Sequence, residues 1–153
     1  MSGITNYELE KFCKGIIGKD FLGVFPCDVY PYKFKLKNKS LIFNLSPHYE
    51  KGSHFVAILK KNKKIFYFDS FGKKCENKNI VSFLKKYTTK IYYNTKTIQS
   101  KKSIFCGLFC LAFLINCQKK KITLEKFVNM FKYPLKNNDS LCLNMILNHL
   151  KEK

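Results

Sequence analysis

The stretch His54-Phe-Val-Ala-Ile-Leu-Lys-Lys-Asn-Lys-Lys-Ile-Phe-Tyr-Phe-Asp69 decides the fold. Two runs rich in β-branched and aromatic residues, His54 to Leu59 and Lys64 to Asp69, flank the polar segment Lys61-Asn62-Lys63, and that pattern predicts a β-hairpin. If the loop is Lys61-Asn62, His54 lies directly opposite Asp69; if it is Asn62-Lys63, the two are diagonal neighbours. Either even-length loop leaves both side chains on one face within hydrogen-bond reach, whereas a three-residue loop without a bulge would separate them. Asp69 is the only acid between Glu50 and Glu76, and Phe66, Tyr67, Phe68 and Phe71 enclose it. A carboxylate among aromatic rings needs a partner, and an imidazole supplies one while being oriented in return. The competing reading is that Asp69 only caps the turn Ser70-Phe71-Gly72.

Outward from the hairpin, Leu41 to Leu45 reads as a further strand and Lys90 to Tyr93 as another, while residues 19 to 40 read as irregular. Thr5-x-x-Glu8 has the form of a capping box, with Leu9, Phe12, Ile16 and Ile17 at helical spacing and Gly18 as a stop, so a helix is expected from about 6 to 17. Asn79 to Tyr87 reads as a short helix, and residues 104 to 117, 123 to 132 and 139 to 151 as three more. The expected class is α+β, a small antiparallel-type sheet flanked by helices. No repeat, linker or low-complexity block divides the chain, so residues 1 to 153 read as one domain.

The composition agrees with a folded domain. Apolar residues make up 46% of the 153, with 15 Phe and 9 Tyr, which excludes an intrinsically disordered chain despite a net charge of +19. All 29 basic residues are Lys, against 10 acids. Such a surface attracts polyanions, and nucleic acid is the first candidate partner, unless the charge is a by-product of an A- and T-rich coding sequence. The N-terminus lacks the pattern of a secretory signal, so an intracellular protein is expected. Seven Cys without the spacing of a disulfide framework fit a reducing compartment. No Cys-x-x-Cys pair occurs, so no metal is expected. The longest uncharged run, Ser103 to Gln118, is 16 residues and too short for a membrane span.

That run begins at Ser103-Ile-Phe-Cys106-Gly-Leu-Phe-Cys110, where a polar loop becomes the most apolar helix of the chain. With Ser103 as the N-cap, Cys106 falls in the first helical turn, where unpaired N–H groups and the helix dipole favour a thiolate. Cys110 and Cys117 lie deeper and read as core fillers, a role open to Cys106 as well. Of the three histidines, His149 reads as a surface residue and His48 as a loop residue. His54 follows a Gly52-Ser53 turn at a strand entrance, where a cleft can form. Gln99, seven residues before Cys106, could join the Cys106 N–H in holding an oxyanion, although a glutamine in a loop carries little information by itself.

In chain order these residues are His54, Asp69, Gln99 and Cys106. The segments Gly52-Ser53-His54-Phe55, Phe68-Asp69-Ser70-Phe71-Gly72, Gln99-Ser100 and Phe105-Cys106-Gly107-Leu108-Phe109-Cys110 resemble the motifs of the adenovirus maturation protease family, adenain-like cysteine proteases found also in virophages and related viral elements. Phe21-Leu-Gly-Val-Phe25 resembles the family's N-terminal segment. The resemblance implies a papain-related α+β fold, with Cys106 as nucleophile, His54 as general base, Asp69 as the orienting acid and Gln99 in the oxyanion hole. It implies cleavage of capsid and core precursor proteins during particle maturation, inside the virion and the infected cell. The chemistry then requires no cofactor, and activation by DNA or by a short viral peptide is the family's habit. Phe55 stands where the family usually has Trp. No Cys occurs between Cys75 and Cys106, where the adenovirus enzyme has the thiol that bonds its activating peptide, so a disulfide-linked peptide is not expected. The partners implied are viral structural precursor proteins and nucleic acid bound without sequence preference, with no membrane, the chain acting as a monomer. Two other readings are a protease for ubiquitin-like modifiers, of the Ulp or SENP kind, and a non-enzymatic basic DNA-binding protein.

Overall fold

The capping box predicted at Thr5 forms: its hydroxyl accepts from the Glu8 N–H, and the Glu8 carboxylate accepts from the Thr5 N–H. It starts helix α1, Asn6–Ile17, which ends at Gly18 in a positive-φ conformation (φ 91°) that glycine adopts without penalty. The computed structural model describes residues 3–29, 36–46 and 54–152. His48 and the Gly52-Ser53 turn lie outside the described residues.

After α1 come β1 (Phe21–Pro26), β2 (Ser40–Asn44), β3 (Phe55–Lys61), β4 (Lys64–Phe68), α2 (Lys78–Lys85) and β5 (Ile91–Tyr93). Helix α3 (Cys106–Phe113) runs on through a π-helical turn, Leu114–Lys119, and α4 (Leu124–Asn129), a 3-10 turn at Leu135–Asn137 and α5 (Asn138–Lys151) complete the chain. The strands form one sheet in chain order. The α+β class holds, but the sheet is mixed rather than antiparallel in type. Its centre, β2-β3-β4, is antiparallel, while both edge pairs, β1-β2 and β4-β5, are parallel. The reason at one edge is connectivity: β5 is reached from β4 through helix α2, and such a crossover returns the chain in the same direction. Strand β1 lies within the stretch read as irregular. Gly23 and Pro26 mask its β character, and its partner is supplied by the fold rather than by a neighbouring hairpin.

Alternation along β3 divides the core. Phe55, Ala57 and Leu59 face a layer made by α1, α3, the π turn, α4 and α5; Val56 and Ile58 face α2. Phe68 of β4 stacks on Phe113 of α3 with ring centroids 4.9 Å apart. Burying rings of this size contributes about 2–3 kcal/mol each, which anchors α3 on the sheet and thereby fixes the place of its first residue. The π turn has a visible cause, since the Asn116 side-chain amide donates to the Ala112 carbonyl (2.8 Å) and intrudes on the regular ladder. Among the described residues no helix is long and apolar enough to cross a membrane.

Candidate active site

The hairpin register settles the geometry that the sequence left open. Lys61 pairs with Lys64 across a two-residue turn at Asn62-Lys63, and Ala57 pairs with Phe68. Extending that register puts Phe71 across from His54 and Asp69 on the diagonal. The diagonal contact is made: His54 Nε2 lies 2.8 Å from Asp69 Oδ1. A carboxylate only accepts, so Nε2 carries the proton. Phe71 stacks on the imidazole with ring centroids 4.8 Å apart. Phe55 instead turns to the other side, against Gly107.

Asp69 is 3% exposed and tightly held. Its Oδ1 also accepts from the Phe71 N–H (2.8 Å), so the turn-capping role and the histidine contact coexist. Asn94, one residue beyond β5, clamps the backbone on both sides. Its Oδ1 accepts from the Asp69 N–H (3.0 Å), and its Nδ2 donates to the Asp69 carbonyl (2.7 Å). Gly72, at φ 72°, closes this turn, and a Cβ there would sit 2.6 Å from the Thr95 carbonyl oxygen.

Cys106 is the first residue of α3, within the first turn as expected, but Ser103 is not its cap. Phe105 holds the N-cap position and no side chain caps the helix. Ser103 Oγ is engaged in the loop instead, accepting from the Phe105 N–H (3.1 Å) and donating to Asp139 (2.8 Å). The first backbone bond of the helix runs from Phe109 N–H to the Phe105 carbonyl (2.9 Å). The N–H groups of Cys106, Gly107 and Leu108 therefore precede the ladder and leave a positive end beside the sulfur. Cys106 is the one partly exposed thiol of the seven; the others are buried. Gly107 lets the helix start lie close to α1 and β3, because a Cβ there would be 2.8 Å from Ile4 Cγ2 and 3.3 Å from Phe55 Cδ2.

The histidine and the thiol line one cavity. Burial alone would push the His54 imidazolium down; the hydrogen bond to Asp69, a second one to Cys106, and the charges of both outweigh it and raise the ring to about 9. With Nε2 taken by the carboxylate, Nδ1 is the nitrogen left for the sulfur. Gln99, 1% exposed, is locked in one orientation. Its Oε1 accepts from Ser70 Oγ, and its Nε2 donates to the Ser103 carbonyl (3.0 Å) and hydroxyl (3.2 Å). His54, Cys106, Gln99 and Phe71 line one cavity of about 480 Å³, whose facing wall includes Ile4 and Thr5.

All four residues singled out in the sequence thus converge. His149 does not; it is buried at 8% exposure on α5 rather than on the surface, with Nδ1 3.8 Å from the Glu152 carboxylate. Asn94 and Asp139 escape sequence reasoning, as do the Ser70 bond to Gln99 and the stacking of Phe71 on His54. Asn94 lies 25 residues from the backbone it holds, and an asparagine after a strand looks like any turn residue.

An imidazole bonded to a buried carboxylate and sharing a cavity with a helix-terminal thiol, on a mixed α+β sheet, is an arrangement that can carry out thiol-dependent acyl transfer. No family model matches the chain. The chain is similar to proteases of adenoviruses. It is 28% identical to the protease of ovine adenovirus D serotype 7 (isolate OAV287) over 130 residues, 27% to that of snake adenovirus serotype 1 over 131, and 30% to that of bovine adenovirus 4 over 130. Each match covers 74% of this chain and 65% of the relative, so the chain spans slightly less than two thirds of the length of these relatives. The likeness to the adenovirus proteases is a distant one.

Proposed function

We propose that the chain is a viral cysteine endopeptidase that cleaves capsid and core precursor proteins during virion maturation. The observation that carries this reading is the buried Asp69 carboxylate on one nitrogen of His54, with Cys106 lining the same cavity as that ring. A non-enzymatic basic protein gives no account of that arrangement. His54 acts as general base toward the Cys106 thiol. The sulfur attacks the scissile carbonyl carbon, and the oxyanion that forms is held by the Cys106 N–H and the Gln99 amide. The tetrahedral intermediate collapses, the C–N bond breaks, and the amine leaves with the proton from His54. Water, deprotonated by the same imidazole, then hydrolyses the thioester and restores the thiol. Asp69 holds the productive tautomer and stabilises the imidazolium.

The chemistry needs no cofactor. DNA, bound through lysine without sequence preference, concentrates the enzyme on precursor proteins in the virion. Any activating viral peptide acts without a disulfide. The test is to incubate the chain with the capsid and core precursors of its own virus. Cleavage that disappears in Cys106→Ala supports the reading; cleavage that survives in that variant refutes it.

A further inference from the structure

Strand β3 carries His54 at its entrance and ends seven residues later at the Asn62-Lys63 turn, about 20 Å away at the strand rise per residue. That distant end has unusual features of its own. Three non-glycine residues among the described ones have positive φ: Asn38 (53°), Asn62 (54°) and Lys121 (62°). All three line one cavity of about 530 Å³, and Asn62 and Lys121 also line a neighbouring one of about 640 Å³. The π turn ends between the two cavities, which Gln118, Lys119 and Cys117 border. Strained backbone of this kind costs free energy and collects at binding surfaces.

The larger cavity has an apolar floor and a cationic rim. Leu59, Phe113 and Leu124 form the buried base, and Phe66 and Ile122 are half-exposed. Lys61, Lys63, Lys64 and Lys121 surround it, and none of them has an acidic partner among the described residues. Burial holds the Lys61 ammonium below the ordinary lysine range; Cys117 opposes that shift and Lys121 adds to it. An anion placed here meets unneutralised charge, and an apolar side chain beside it meets a dry wall.

We propose that this lysine-rimmed cavity is a docking site for an acidic protein segment that carries an apolar anchor residue. A DNA duplex offers phosphates on a convex surface with nothing apolar to insert, so it would touch the rim and leave the floor empty. A flipped base would bring polar edges to a floor of hydrocarbon and sulfur. A leucine or phenylalanine between carboxylates satisfies both zones. The site is separate from Cys106 and does not depend on the catalytic reading.

The experiment is fluorescence anisotropy of the full chain with a short labelled peptide that has one leucine between runs of glutamate. Comparators are the same peptide with alanine at the centre, its glutamine-for-glutamate counterpart, and random duplex DNA. Each of Lys61→Gln, Lys64→Gln and Lys121→Gln should weaken binding by about threefold, while Lys85→Gln on α2, across the sheet, should leave it unchanged. Alanine at the peptide centre should cost about tenfold. Ile122→Asp should abolish the preference for leucine, and since the lysines are at the surface their variants remain informative even if Ile122→Asp fails to fold. Equal binding of the leucine and alanine peptides, indifference to the three lysines, or displacement by DNA that depends on the same lysines but not on the floor would overturn the proposal. The last result would make this face a nucleic-acid surface.

Discussion

Raising the pH should strip stability from the folded chain through His54. Folding favours the protonated ring, since Asp69 and Cys106 together hold it at about 9 against the ordinary 6.5. At about 1.4 kcal/mol per unit, that difference is worth about 3 kcal/mol. The contribution is whole below 6.5, declines as pH rises toward 9 and is gone above it. The assay is urea unfolding followed by circular dichroism, in steps from about pH 6 to about pH 10, for the wild type and His54→Gln. Lysine and thiol titrations common to both proteins cancel in the difference, and the wild-type excess should shrink by about 3 kcal/mol across the window. Parallel curves would refute the reasoning, because they would mean that the ring gains nothing from its two partners. In the proposed reaction the same proton is passed to the leaving amine, so turnover should fall on the alkaline side as the imidazolium is lost.

Iodoacetamide near neutral pH should modify Cys106 well before the other six thiols, because burial pushes Cys13, Cys110, Cys142 and Cys75 up and Cys117 up to about 12. Mass spectrometry showing uniform labelling, or Cys75 first, would remove Cys106 as the nucleophile. Asp69→Asn should lower kcat by at least about tenfold in a chain that still folds but has lost much of the His54-linked stability below about pH 9, and Asp69→Glu should keep part of the activity. Full activity in the Asn variant would reduce Asp69 to its turn-capping bond with Phe71. Gly107→Ala should cost about 1–3 kcal/mol in urea unfolding, since the new methyl group is driven into Ile4, Leu9 and Phe55. Unchanged stability would show that these side chains yield freely.

The parts legible in the sequence are those written in local patterns. The Thr5-x-x-Glu8 box delivered α1 at its observed start. The two aromatic-rich runs delivered the hairpin, and with it the shared face of His54 and Asp69. Strand β1 was illegible because Phe21–Pro26 owes its extended form to a parallel partner eighteen or nineteen residues away. The start of α3 was misjudged because Ser103 found a better use: its hydroxyl bridges Asp139 and the Phe105 N–H, so the helix begins without a side-chain cap. The Asn94 clamp and the Ser70 bond to Gln99 span 25 and 29 residues. No periodicity encodes such contacts, which exist only once the sheet has brought the chain ends of β4 and β5 together.

The clamp by Asn94 ties the acid of the site to the least secure part of the sheet. Strand β5 is three residues long, lies at an edge and is partly exposed along its length. Segments of this kind open locally at free energies far below that of global unfolding. When β5 frays, Asn94 releases both backbone groups of Asp69, and the carboxylate loses its fixed bearing on His54 while the hydrophobic layers on either face stay closed. Heat or mild denaturant would then silence the site in a protein that still looks folded by every bulk measure. On the proposed reading, the working temperature of the chemistry would follow three edge residues rather than the core.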